Sequence, residues 1–169
     1  MVSAELGMED EALGGDDVWS CLTCGLCLER CPSRVEYLDF VRGVREEAAK
    51  LGNRTRYAHD GITQSLVQIQ TAGLPQNKTA WAREAGNIQK KGEYYLFVGC
   101  LPYFDTLFGE IGGRSLGTAS NMLKILNRLG IEPVVSDEER CCGHDMLWNG
   151  NVDLFKELAA LLPAIFSRV

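Results

Sequence analysis

Residues Trp19 to Pro32 read WSCLTCGLCLERCP, and four of the seven cysteines of this 169-residue chain fall inside that stretch. Cys21, Cys24, Cys27 and Cys31, followed by Pro32, spell C-x2-C-x2-C-x3-C-P. That is the spacing of a bacterial iron-sulfur ligand run. Such short steps let the chain wrap its thiolates around the corners of one cube while backbone N–H groups point at the sulfurs and offset the buried negative charge. Gly25 removes a side chain where the backbone has to come close, and Pro32 has no N–H to waste at the start of a following helix. Trp19 and Leu26 are expected to keep water from the site. Four thiolates also satisfy tetrahedral zinc, and a redox dithiol is a further alternative. Zinc sites usually set two C-x2-C pairs well apart, so the compact run favours one [4Fe-4S] cluster. Cys31 is the ambiguous ligand. In two-cluster ferredoxins the fourth cysteine of such a run serves the neighbouring cluster, and this chain holds a single run.

Composition narrows the rest. With 46% hydrophobic residues the chain can bury one good core or two small ones. A net charge of -6 disfavours a nucleic-acid partner, because a phosphate backbone is held through a basic face. No run is long enough to span a bilayer and the N-terminus lacks the pattern of a secretory signal, so the expected location is cytoplasmic. An odd, clustered set of cysteines points to reduced thiols committed to metal rather than to a disulfide framework. His59 and His144 are too few and too far apart to make a zinc site of their own.

Outward from the cysteine run, residues 1–15 suggest a short helix, and Asp16 and Asp17 an N-cap pair. Val35, Leu38, Val41, Val44 and Ala48 mark an amphipathic helix stopped by Gly52. A second helix is expected over Tyr57 to Thr71, with Ile62, Leu66 and Ile69 on one face. TAGLPQNKTAWAREAGNIQKKGE reads as an irregular linker with room for a turn of helix around Trp81. YYLFVG, residues 94–99, has the continuous apolar character of a buried strand, and IEPVV that of a second. Between them GTASNMLKILNRLG predicts a helix over 117–130, with Met122, Leu123, Ile125, Leu126 and Leu129 inward and GGRSLG as the turn before it. A last helix from about Val152 is expected to kink or end at Pro163. The fold class expected is therefore α+β: a helical ferredoxin-like domain over residues 1–73, a linker over 74–92, and a partial α/β domain with parallel strands over 93–169.

Cys100 closes the first expected strand, and Cys141, Cys142 and Gly143 follow the second. Both sites then fall at the carboxyl ends of parallel strands, where such sheets bind ligands. Adjacent cysteines beside a third favour a metal or redox role, and a helix opening at Gly143 would help to stabilise the thiolates. Glu46, Glu47 and the SDEER run read as solvated faces without chemistry. His144 reads as a helix-start residue that hydrogen-bonds rather than as an acid, and His59 as a surface or packing residue.

WSCLTCGLCLERCPSRVEYLDFVRGVREEAAKLGN resembles the second cluster motif of the helical ferredoxin module in heterodisulfide reductase-type proteins. LFVGCLPYFD with ERCCGHDMLWNGNVDLFKELA resembles the first half of the cysteine-rich CCG domain of the same family, which includes the iron-sulfur subunits of glycolate oxidase, lactate utilisation and anaerobic glycerol-3-phosphate dehydrogenase systems. LPQNKTAWAREAGN resembles the family's linker. The resemblance implies an electron-transfer subunit of a multisubunit oxidoreductase. Its partners would be a flavoprotein or hydrogenase-like donor and a CCG-domain protein, and it would reach a membrane only through a partner. It further implies that Cys100, Cys141 and Cys142 are ligands of a second, CCG-type cluster, which in some members reduces disulfides. The family's upstream cysteine run and its closing C-x2-C pair lie outside this sequence, so the expectation is a piece of a longer subunit.

Overall fold

The structure is a computed structural model and describes residues 13–54 and 61–166. The expected helix over 1–15 and His59 lie outside the described residues, but for the end of that helix. The elements in chain order are α1 (Asp17–Ser20), α2 (Leu26–Arg30), α3 (Tyr37–Lys50), α4 (Ile62–Thr71), α5 (Ala80–Ala85), α6 (Leu101–Phe108), a 3-10 turn (Gly109–Ile111), α7 (Ser115–Arg128), α8 (His144–Trp148) and α9 (Val152–Phe166).

The chain divides into two compact units, one made of residues 1–62 with 143–155 and the other of 63–142 with 156–169. In the first, α3 is the central helix. Its Val41, Arg45 and Ala48 lie on one face at helical spacing and are buried. The helix ends as the sequence predicts, with the Gly52 and Asn53 N–H groups donating back to the carbonyls of Ala49 and Ala48. Met146 of α8 and Leu154 of α9 complete the apolar set. Each fully buried side chain of this size contributes on the order of 2 kcal/mol.

In the second unit α7 packs on α5 and α6. Ala119 and Leu123 are its buried residues, whereas Met122, Ile125 and Leu129, expected inward, are exposed. The apolar stripe of α7 is therefore narrower than its composition suggests. Leu66, Val67, Ala82, Val98, Val134 and Leu158 fill out this core. The turn before α7 spans 112–114 only, and the helix starts two residues earlier than expected: Ser115 Oγ donates to the Leu101 carbonyl at 2.9 Å, and Asp105 accepts from the Leu116 N–H. Pro163 lies within α9 and does not end it.

The α+β expectation is overturned. Among the described residues there is no strand: residues 94–99 and 131–135 meet through one isolated parallel bridge, Tyr95 with Val134, and a second isolated parallel bridge joins Gln89 to Val134. The physical reasons are local. Pro133 has no N–H for a ladder. Beyond Leu96, the Val98 and Gly99 N–H groups donate to the Glu139 carboxylate instead of to a neighbouring strand. Tyr94 and Phe97 are also partly exposed, so the apolar run is not buried on both faces.

Candidate iron-sulfur centre

The cysteine run lies on the α1–α2 connection and the turn after α2. Cys21 follows α1, Cys27 sits within α2, and Cys31 caps its C-terminus. Gly25 caps the N-terminus of α2 in the left-handed region, φ 76°, and its carbonyl accepts from the Leu28 and Glu29 N–H groups. A Cβ there would meet nothing closer than Leu38 at 3.9 Å, so glycine is needed for its backbone angle rather than for close approach. Thr23 and Arg34 also adopt positive φ, 52° and 46°. For a β-branched threonine this is a strained conformation, of the sort that gathers at functional loops. Its result is visible at the sulfur: the Thr23 N–H donates to Cys21 Sγ at 3.4 Å. Around Cys31, the N–H groups of Val35, Ser33 and Arg34 hold the thiol below its usual range.

Those features fit an iron-sulfur group through donor chemistry and backbone: soft sulfur ligands, and N–H groups aimed at two of them. The fit does not extend to a preassembled cage, since no three His, Cys, Asp or Glu side chains among the described residues stand together as a metal site. Cys24 and Cys27 are exposed, Cys21 and Cys31 half-buried. Leu26 is exposed too and does not shield the loop. Pro32 lies in the turn, and α3 starts only at Tyr37. Trp19 instead lies against the Arg45 guanidinium, 5.4 Å from its ring centroid.

Of the other three cysteines, Cys100 and Cys141 are in hydrogen-bond contact and Cys142 is near enough for its charge to act on Cys100. Cys100 caps α6, and its thiol is held down to about 7, first by a hydrogen bond with Cys141 and then by Gln70 and the nearby Lys78, against burial and the charge of Cys142. Gln70 Nε2 donates to Cys100 Sγ at 3.6 Å. Lys78, fully buried, donates to Gln70 Oε1 at 2.7 Å and to the Gly99 carbonyl at 3.0 Å. On the other side of the same residue, the Glu139 carboxylate takes the Gly99 and Val98 N–H groups and a bond from Tyr95. Gly99 is thus held at both its N–H and its C=O, and that fixes where Cys100 emerges. Burial lowers the Lys78 ammonium and raises the Glu139 carboxyl, each opposed by the other's charge.

Sequence reading missed both residues. Lys78 stands in what reads as a linker, and Glu139 in the SDEER run assigned to solvent. Nothing in periodicity marks either, because their burial is decided by contacts 21 and 40 or 41 positions away in the chain. His144 behaves as expected: exposed, bonded to Asp145 at 3.1 Å, and capped by Gly143 at the start of α8.

The described residues thus carry two groups of free cysteines on a helical frame. Residues 94–167 match the CCG family of cysteine-rich domains. Over 170 aligned positions, 98% of this chain and 32% of the relative, it is 25% identical to an uncharacterized iron-sulfur protein of Methanococcus maripaludis. It is 29% identical to one of the subunits of the dihydromethanophenazine:CoB–CoM heterodisulfide reductase of Methanosarcina acetivorans, over 85% of this chain and 34% of that one. A 74-residue match, 44% of this chain and 39% of the relative, is 45% identical to one of the subunits of the H2:CoB–CoM heterodisulfide, ferredoxin reductase of Methanothermobacter marburgensis. No solved structure matches. Residues 94–167 thus carry the CCG cysteine-rich domain, and the chain is similar to iron-sulfur proteins and to components of both reductases. It spans about a third of the length of the first two of these relatives. Among the described residues no helix is long and apolar enough to cross a membrane.

Proposed function

We propose that this chain is an electron-transfer subunit, or part of one, of a heterodisulfide reductase-like multisubunit oxidoreductase. Cys21, Cys24, Cys27 and Cys31 hold a [4Fe-4S] cluster, which supplies one-electron chemistry when bound. The observation that carries this is the ligand loop itself, where a strained Thr23 and the turn after Cys31 aim backbone N–H groups at two of the four sulfurs. The relatives' names support other oxidoreductase subunits as partners. A flavoprotein or hydrogenase-like donor and a CCG-domain partner are the expected kinds, in the cytoplasm or at a membrane through a partner. The first cysteine run and the CCG part divide the work between cluster and acceptor. Anaerobically prepared protein is expected to contain iron and acid-labile sulfide at about four each per cluster and to show a reduced-state EPR signal. Cys24→Ser and Cys27→Ser each abolish that signal. Zinc without sulfide sinks the reading.

A second reading places thiol or disulfide reduction at Cys100, Cys141 and Cys142. It is favoured by the Cys100 thiol, which Cys141 and Gln70 hold near 7 and hence about half ionised at neutral pH. Its mark is a second, spectroscopically distinct signal that Cys142→Ser removes while the first survives. A cluster serving only structure or sensing would instead leave partner binding intact with no redox change.

A further inference from the structure

Arg45, on the buried face of α3, is 5% exposed. Its guanidinium donates to three backbone carbonyls of the same unit: Cys21 at 2.7 Å, Val18 at 3.0 Å and Trp148 at 3.1 Å. Its Cζ stands over the Trp19 ring, 5.4 Å from the centroid. Among the described residues no carboxylate is within ion-pairing distance of it; the ion pairs present involve Arg42, Lys50 and His144. A buried cation compensated only by carbonyl dipoles is costly, and a packing role alone would be met at less cost by an apolar side chain. The groups that interact with its charge are Cys21 and Tyr37. Guanidinium keeps its proton under all working conditions, so this is a fixed positive charge directly behind the first cysteine of the run.

We propose that Arg45 is a positioning residue that clamps the ligand loop between α1 and α8 and whose buried charge raises the reduction potential of the centre held by that loop. The inference rests on the reading that Cys21 to Cys31 hold a one-electron centre. Reduction adds one electron, and therefore one negative charge, beside a cation that no carboxylate neutralises. The electron comes from a donor protein in the assembly, or from dithionite in a titration. Removing the cation leaves that added charge without its counterpart and makes reduction less favourable.

The test is an EPR-monitored redox titration of the whole chain, with iron and sulfide measured on the same samples. Arg45→Met is expected to bind the same iron and to shift the reduction equilibrium about tenfold toward the oxidised form, a fall of about 59 mV for a one-electron centre. Arg45→Lys keeps the charge while losing the planar fork, and its potential is expected to stay within about threefold of the parent's. An unchanged potential in iron-replete Arg45→Met overturns the proposal. So does an equal fall in both variants, which would trace the effect to geometry. Should Arg45→Met not retain iron, Arg45→Lys alone decides: an unshifted potential supports the charge, a tenfold fall overturns it. Loss of iron and of helical circular dichroism in both variants would make Arg45 a folding clamp only and also overturn it. Failure of the parent reading looks different: the unsubstituted chain would then lack sulfide, or Cys24→Ser would leave the signal intact.

Discussion

Cys100 is the cysteine whose surroundings do most to its chemistry. Hydrogen bonds with Cys141 and Gln70 and the charge of Lys78 bring its thiol from an ordinary 9.0 to about 7. The sign follows from the thiolate being the favoured form in the fold. Stability from this group is complete above its unfolded value and is lost as pH falls through about 7. In metal-free protein, alkylation of Cys100 followed by peptide mass spectrometry is expected to be half-maximal near pH 7 and to fall about tenfold for each further unit of acid. Half-maximal labelling near 9 would show that the Gln70 and Cys141 contacts do not act on it. At this scale the candidate ligands were readable from letters alone, because cysteine spacing is a covalent property of the chain. The second layer was not. Gln70, Lys78 and Glu139 read as ordinary helix, linker and surface residues, and only folding brings them around Gly99 and Cys100.

Among the elements, α3 and the turn leaving α8 show how closely the first unit is packed. Gly150 lies in that turn at φ 77°, and an added Cβ would press into the Arg45 carbonyl group and reach Ala49 at 3.0 Å. Gly52, at φ 83°, has open space around it. Gly150→Ala is therefore expected to destabilise the protein by about 3 kcal/mol, the sum of backbone strain and overpacking, against about 1 kcal/mol for Gly52→Ala. Urea unfolding followed by circular dichroism measures both, and equal costs would mean that the turn yields without loss. Helix stops at Gly52 and Gly130 were legible in advance, since left-handed caps favour glycine wherever they occur. Strands were not. An apolar, β-branched run is necessary for a buried strand but does not supply a neighbour. Here Pro133 and the Glu139 carboxylate take the places where a ladder would form.

For the molecule as a whole, each unit buries apolar side chains of its own: Val41, Ala48, Met146 and Leu154 in one, Leu66, Val67, Leu123 and Leu158 in the other. The ligand run contributes only one five-residue helix. Stripping iron with a chelator under reducing conditions is accordingly expected to remove the visible absorption and the EPR signal while most of the helical circular dichroism remains. Collapse of the helical signal would instead make the metal the organiser of the fold. The split itself has no marker in the sequence: it falls inside the CCG motif, after Cys142, and residues 143–155 belong with the unit that carries the first cysteine run. By itself the sequence determined the cysteines, their spacing and the match to the CCG domain, because these depend on residue type and on distance along the chain. Tertiary structure alone decided that the parallel strands do not form among the described residues, that Arg45 lies buried behind Cys21, and that Lys78 and Glu139 hold Gly99 at both its N–H and its C=O. Burial and hydrogen-bond partners are set by contacts across the fold, and no local pattern encodes which distant residue will supply them.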